Sequence, residues 1–409
     1  MKTNITNFDR RSFLKGGALL SGAAALAAFG VTNEAHAAYF GEALASTGNS
    51  SIPENWDYEA DIIAIGAGGA GLSCAIEAKD QGVSCIVIES QSIPGGNSAL
   101  CNGGIAIPGS PLQEEQGIDD NPDIMFEDLC AWFGTDYDEG YVRLLCDLNG
   151  GDLYDWLTGL GLEFLDSGLL QSNGHSRPRE HHITPGTVID TLAAAAEADS
   201  NQIHYNTTAT ALLRHPETGR MMGVIAETAD GTVLYKANKA VLLCTGGYGR
   251  NQDLLAEWNF GPAAYDMTVF NGSLGQQGQG LMMAMSIGAQ PRHLSYCGML
   301  TVQHPEGSLG QACAMYHQGA VMVNLEGNRF VNEAQGYTNV WSELLAQPEN
   351  VCYQIWDQQI ADKCAENESG YYSQSKVEAT GFCCRVPCSY EPKTLTNETC
   401  FPSSVSRSA

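Results

Sequence analysis

The chain is 409 residues long, which at roughly 150 residues per domain leaves room for two or three domains and a large buried core. Apolar residues make up 44% of it and glycine supplies 46 positions, a globular and turn-rich composition that excludes disorder throughout. The 20 Lys and Arg against 47 Asp and Glu leave a formal charge of −27, which excludes the basic footprint that nucleic acid or an anionic lipid surface requires.

Residues 1–37 read as a leader. Arg10 and Arg11 stand directly before Ser12-Phe13-Leu14-Lys15, a weakly apolar run of small residues extends from Ala18 to Val31, and Ala35-His36-Ala37 offers an A-x-A cleavage site. In that order the three parts resemble a twin-arginine export signal. The resemblance implies a protein that crosses the cytoplasmic membrane already folded and acts in the periplasm or on the outer face of the membrane or cell wall. It also implies that any cofactor is acquired beforehand. No later apolar run reaches the ~18 residues of a spanning helix, so no membrane span is expected once the leader is removed. Of the 14 cysteines, Cys74, Cys85 and Cys244 lie inside apolar runs, where the thiol behaves as a small hydrophobe. The absence of C-x-x-C and C-x-x-C-H patterns argues against an iron–sulfur cluster and covalent haem. His181 and His182 are adjacent and lack further ligands at useful spacing, so no metal site is expected. A redox enzyme of this composition takes its electrons from a separate donor.

A spacer at 38–56 leads into a short apolar strand, Ala60-Asp61-Ile62-Ile63-Ala64-Ile65, followed without a break by Gly66-Ala67-Gly68-Gly69-Ala70-Gly71. Leu72, Ala75, Ile76 and Lys79 then keep helical spacing up to Gly82, and Val83 to Ile88 reads as a second buried strand that ends at Glu89 and Ser90. Strand, G-x-G-x-x-G turn, helix, strand and acidic residue form the complete dinucleotide-binding unit. Gly66 makes the tight turn, Gly68 lets a pyrophosphate approach the backbone with Gly69 and Ala70 beside it, and Gly71 lets helix and strand pack closely. The phosphates sit on the helix N-terminus and Glu89 accepts the ribose hydroxyls.

A second glycine-rich stretch follows: Pro94-Gly95-Gly96-Asn97-Ser98, then Cys101-Asn102-Gly103-Gly104. Further on, a helical run spans 188–198 and strands fall near 202–213 and 220–236, with Asp230-Gly231 as a hairpin turn. The buried-strand run Lys239 to Cys244 opens onto Thr245-Gly246-Gly247-Tyr248-Gly249-Arg250-Asn251, and Gly275-Gln276-Gln277-Gly278-Gln279-Gly280 opens a helical pattern from Leu281. Together these motifs resemble the flavoprotein family of fumarate reductase and succinate dehydrogenase. The resemblance implies FAD as cofactor and an α/β fold, with a Rossmann-type FAD-binding domain on a parallel sheet over 57–300 and an α+β capping domain over 301–376. It places Gly95, Gly96, Asn97, Ser98, Gly103 and Gly104 near the isoalloxazine and Ala209 near the adenine end. Thr245, Gly246, Gly247, Gly278 and Gln279 complete the cofactor set, with Gln279 standing where the family usually has Asp.

In the capping region, Gln303-His304-Pro305 resembles the family's substrate-binding element, which makes His304 a candidate substrate contact. Gly319-Ala320-Val321-Met322-Val323-Asn324 and Glu326-Gly327-Asn328-Arg329-Phe330-Val331-Asn332-Glu333 resemble its GA-x-x-VN-x-x-G-x-RF-x-NE hairpin. The arginines that fumarate reductases use to clamp carboxylates are missing, and Tyr337 stands at the family's proton-donating arginine, as in ketosteroid dehydrogenases. The expected reaction is reduction of a carbon–carbon double bond conjugated with a carbonyl or carboxylate. Hydride comes from flavin N5, Tyr337 delivers the proton, and a quinol cytochrome or small exported carrier supplies the electrons. Two alternatives stand beside it: dehydrogenation of a ketosteroid-like substrate, and an inactive FAD-binding remnant. The second arises because residues 377–409, with Cys383, Cys384, Cys388 and Cys400, show no counterpart of the family's closing strand and turn. They read as a truncated or frame-shifted end that leaves the C-terminal part of the fold incomplete, or as a divergent tail with two disulfides.

Overall fold

The computed structural model describes residues 52–295 except 102, 135–136, 167, 173, 199–201 and 259–271, together with 316, 319–335, much of 340–360, and 383–385. The leader, His304, Tyr337, Cys388 and Cys400 lie outside the described residues. In chain order the first elements are β1 (Tyr58–Ile65), α1 (Gly69–Asp80), β2 (Cys85–Ile88), α2 (Gly96–Ala99), β3 (Gly104–Ala106), α3 (Pro111–Glu115), α4 (Pro122–Phe133), α5 (Glu139–Leu148) and α6 (Gly151–Gly159). Then follow β4 (Glu180–His182), α7 (Thr187–Glu197), β5 (Gln202–His204), β6 (Thr208–Arg214), β7 (Met221–Thr228) and β8 (Gly231–Leu243). The last are α8 (Gln252–Trp258), α9 (Gln279–Ser286), β9 (Val321–Val323), β10 (Val351–Ile355) and β11 (Cys383–Arg385).

Chain contacts divide these elements into two compact units. The first draws its described residues from Met1–Pro94, Ala196–Asn259 and Gly275–Leu294. Its sheet runs β5-β2-β1-β8-β7-β6. β1 and β2 read as continuous apolar runs because they are covered on both faces: Ile63 and Ala64 are fully buried, and so is every residue of Cys85–Ile88. α1 returns the chain with Leu72, Ala75 and Ile76 against these strands, the right-handed crossover that makes β1 and β2 parallel.

The expected parallel sheet is parallel only over β5, β2, β1 and β8. β6, β7 and β8 form an antiparallel meander, because a connection of a few residues can only reverse the chain. Four local readings are corrected with it. The stretches 220–236 and 239–244 are not separate strands: β8 is one strand of 13 residues that pairs antiparallel with β7 and parallel with β1, shifting register opposite Ala60 and Ile62. Its last residues, read as buried, are only half-covered, and Leu243 is exposed. The strand expected over 202–213 breaks at Tyr205–Thr207, where Asn206 takes a left-handed φ of 52° and donates its amide to Gln91 O. The hairpin turn lies one residue earlier than expected. Thr228 pairs with Gly231, leaving Ala229 and Asp230 in the loop and Gly231 at φ 123°, a conformation that favours glycine. Trp56, at the end of the spacer, packs over Gly223 on this hairpin.

The second unit draws on Gly95–Ala195, Phe260–Leu274 and Ser295–Ala409. Its helices are capped as their sequences dictate. Ser110 and Gln113 form a reciprocal capping box at α3, Asn121 caps α4 with Pro122 in the first turn, and Asp138 caps α5. A fully buried ion pair ties these helices to the strand that follows them: Arg179 donates Nε and Nη2 to the two oxygens of Asp120, both at 2.9 Å, and reaches Asp128 at 2.8 Å. Gln113 adds bonds to Asp120 and to the Pro178 carbonyl. In the same unit Tyr316, Met322, Val331, Val340 and Leu344 form the core behind a small sheet, β11-β10-β9. Among the described residues no helix is long and apolar enough to cross a membrane, and Cys74, Cys85, Cys101, Cys130, Cys146 and Cys244 carry free thiols.

Replacing Arg179 by Met keeps the volume but strands two carboxylates. We expect the variant to lose about 3–5 kcal/mol in urea unfolding followed by far-UV circular dichroism. The pH dependence differs as well. Burial pushes the Asp128 carboxyl up, but the Ser176 amide and hydroxyl together with Arg179 outweigh it and hold the group below the usual carboxylate range. This stabilisation is full above about pH 4 and disappears as the pH falls through the lowered native value. In R179M the unpaired carboxylates gain from protonation, so its deficit should narrow on acidification. A deficit that stays constant would show that the pair does not act this way.

Candidate functional site

At the C-terminal end of β1 the chain turns with Gly66 at φ 109°, and a Cβ there would meet the Cys244 carbonyl oxygen at 2.5 Å. A Cβ on Gly71 would overlap the Gly66 carbonyl oxygen itself. Both glycines are therefore demanded by close approach of backbone to backbone, the packing of helix on strand that the motif requires. Gly68 is the N-cap of α1. Gly68 has no side chain to cap it and no acidic residue lies in the first turn, while Ala70 is exposed and Gly68 and Gly69 are half-exposed. Glu89 ends β2 buried. One carboxylate oxygen accepts the Ala67 amide at 2.7 Å, the other accepts the Gln91 amide at 2.8 Å, and Ser90 Oγ donates to the latter at 3.2 Å. The turn is held against the acidic residue, and a carboxylate oxygen has capacity left for a ribose hydroxyl. A glycine-rich helix N-terminus with no acidic residue in its first turn and an anchored carboxylate fit the pyrophosphate and ribose of a dinucleotide.

Two more loops of the same unit join each other at this end of the sheet. The Gly278 amide donates to Gly247 O at 3.2 Å, the Arg250 amide to Gln276 O at 3.0 Å, and buried Asn251 donates Nδ2 to Gln277 O at 3.0 Å while its Oδ1 caps α8 through the Leu254 amide. A Cβ on Gly280 would overlap Thr245 Oγ1, and Gly278 holds a left-handed φ of 81° at the N-cap of α9. Thr245, Gly278 and Gln279 thus belong to one clamp, from which Gly246 and Gly247 are exposed. Asn251 is structural to that clamp and sits outside the candidate set read from sequence. Its signal was available, since an Asn directly before a helix is a strong N-cap. Ala209, expected at the adenine end, begins β6 and packs with Ile63, Leu212 and Val224 in the core.

In the second unit Gly95 takes φ 143° and Gly96 φ 56° around the one-turn α2, and Asn97 Oδ1 accepts the Ser273 amide at 2.8 Å. Ser98 lies in the same turn. Gly103 cannot carry a side chain because its Cβ would strike the Ile183 carbonyl, and at Gly104 it would strike the Glu180 carboxylate. Gly104 pairs with His182 across the β3–β4 ribbon. In the hairpin that follows Gly319 the Asn324 amide bonds to Asn328 O, and Val323 bridges Arg329. Glu333 is buried, accepts the Met322 amide at 2.6 Å and pairs with Arg329 at 2.5 Å. Burial pushes its carboxyl up, but Arg329 and the Met322 amide outweigh this and lower it. Among the described residues no group of three His, Cys, Asp or Glu can hold a metal ion.

The FAD binding domain family matches residues 61–360. Fumarate reductase (cytochrome) of Shewanella frigidimarina is 29% identical over 305 residues, 73% of this chain and 52% of that protein. Urocanate reductase of Eggerthella lenta is 29% identical over 320 residues, 76% of this chain and 52% of that protein. Among solved structures, the open conformation of a flavocytochrome c3 fumarate reductase superposes with a TM-score of 0.65 at 27% identity, covering 76% of this chain and 54% of that one. A 3-ketosteroid-Δ4-(5α)-dehydrogenase from Rhodococcus jostii RHA1 shares the fold with a TM-score of 0.64 at 23% identity, covering 80% of this chain and 77% of that one. The chain spans about half the length of these two reductases. A match that runs from residue 61 to residue 360 makes the chain a member of the FAD binding domain family, and FAD its cofactor.

Proposed function

We propose that the protein is an exported FAD-dependent oxidoreductase that reduces a carbon–carbon double bond conjugated with a carbonyl or carboxylate. The observation that carries this reading is the kinship with a fumarate and a urocanate reductase, both named for alkenes conjugated to carboxylates, in a chain whose glycine cradle and anchored Glu89 fit the flavin nucleotide. Bound FAD supplies the hydride from N5 to the β-carbon. The chain's own residues do the rest. Gly66, Gly68, Gly69, Gly71 and Glu89 fix the nucleotide, and Gly95 to Ser98 with Gly103 and Gly104 serve the ring. His304 holds the activating group and Tyr337 protonates the α-carbon. Residues 57–300 form the FAD-binding domain, and residues 301–376 a cap whose closure excludes water. The twin-arginine leader delivers the loaded protein across the membrane, where a quinol cytochrome or small exported carrier reduces it. The chain has Tyr337 at the position read as the family's proton-donating arginine, which favours enones and aryl acrylates over dicarboxylates.

Dithionite-reduced holoprotein should be reoxidised by an enone or an aryl acrylate faster than by fumarate, as followed in the flavin absorbance. Oxidised protein bleached by a ketosteroid without any electron donor would reverse the assigned direction. Tyr337→Phe should lower alkene reduction by roughly 10²–10⁴-fold while dithionite still reduces the flavin at the wild-type rate; unchanged turnover would remove Tyr337 from the mechanism. Gly71→Ala forces the Gly66 carbonyl out of place, and FAD affinity measured by flavin fluorescence should fall at least about tenfold, a loss of about 1.4 kcal/mol.

A further inference from the structure

Twelve large apolar residues are exposed among the described residues, and six of them fall between Trp132 and Leu148. This stretch is the α4–α5 hairpin of the second unit. α5 carries four of the six. Tyr141, Leu144, Leu145 and Leu148 stand at i, i+3, i+4 and i+7, the spacing of a stripe that ordinarily faces a core. Here the stripe faces water: Tyr141 is 67% exposed, Leu144 52% and Leu148 65%, with Leu145 at its margin. A different row anchors the helix. Val142 and Cys146 are buried and pack with Met125, Phe126 and Leu129 of α4 and with Tyr137. α5 thus has one apolar face for its own unit and a second that the described residues leave open, on a protein whose remaining exposed apolar residues are scattered.

The surroundings of the open face have one sign. Between Pro111 and Leu170 the sequence holds 15 Asp and Glu, no Lys and one Arg. That residue, Arg143, is engaged: it lies over the Phe126 ring at 5.0 Å, donates to Asp123 at 2.7 Å and pairs with Asp147. Asp138 and Glu139 are exposed at the start of α5, Asp147 lies beside Leu148 and one turn from Leu144, and Asp152 and Asp155 are exposed on α6.

We propose that the open face of α5 docks a basic protein, one that sets an apolar patch inside a ring of lysine or arginine side chains. Apolar contact through Tyr141, Leu144 and Leu148 supplies the affinity, and opposite charge at the rim steers the encounter and fixes the orientation. The same charge disfavours two other occupants. A second copy of this chain would lay acid against acid, and an anionic lipid surface would repel the rim. The inference uses only α4, α5, α6 and their charges, and stands apart from the reaction assigned above.

The experiment is calorimetric titration of the holoprotein with mitochondrial cytochrome c, a basic protein whose lysines ring an apolar haem edge. Wild type should bind it at ~10 mM salt, lose at least about tenfold in affinity by ~200 mM salt, and ignore the lysine-acetylated form. Leu144→Ser combined with Leu148→Ser, both at exposed positions, should keep the wild-type flavin content and unfolding midpoint. The double variant should bind cytochrome c at least about tenfold more weakly. Tyr141→Ser probes the same face independently and should weaken binding in the same direction. Binding as tight in these variants as in wild type would mean that charge alone attracts the probe, and it overturns the proposal, as does an absence of binding at low salt. Sedimentation velocity of the protein alone addresses the other occupant. A monomer supports the proposal, and a dimer that the double variant loses would give the face to a second copy and overturn it.

Discussion

The 13 residues of β8 bond to β1 in parallel on one side and to β7 antiparallel on the other. Within the first unit every feature of the nucleotide site depends on that double engagement. Parallel pairing with β1 brings the end of β8 beside the end of β1, so the Cys244 carbonyl meets Gly66 and Thr245 reaches Gly280. Antiparallel pairing with β7 fixes the far end of the strand and closes the core of Ile63, Leu212, Val224 and Tyr235. A one-residue slip of β8 would turn its side chains to the opposite faces and carry the glycine loops out of position together.

The second unit is organised by charge removed from water. Arg179 can be fully buried because Asp120 receives it with two oxygens and Asp128 stands alongside. Removing any one of these partners leaves a buried charge uncompensated, so α3, α4 and the strand holding His181 depend on one another.

Much of the first unit is legible in the sequence because its causes are local. Apolar runs of strand length, a glycine at each backbone crossing and an acidic residue at the end of the second strand each state their own reason. What was hidden depends on pairing between distant segments. Ala237 and Asn238 look like an interruption between two strands, yet β8 absorbs one extra residue there, Asn238 and Lys239 standing opposite Asp61, and continues. Asp230-Gly231 has the composition of a turn, and only the pairing of Thr228 with Gly231 shows that the glycine already belongs to the strand. Within the candidate site, Gly66, Gly71 and Glu89 were identifiable by spacing.

Glu333 has a consequence for how kinship in this group is interpreted. The stretch from Gly319 to Glu333 lies within the residues that the FAD binding domain family matches, yet its acid is consumed inside the hairpin by the Met322 amide and Arg329. It behaves as a latch that keeps a turn shut. A lineage can retain such a latch through any change of substrate, because selection for a closed hairpin is indifferent to what the pocket receives. Likeness in this stretch therefore dates the architecture and leaves the chemistry to be read from other residues.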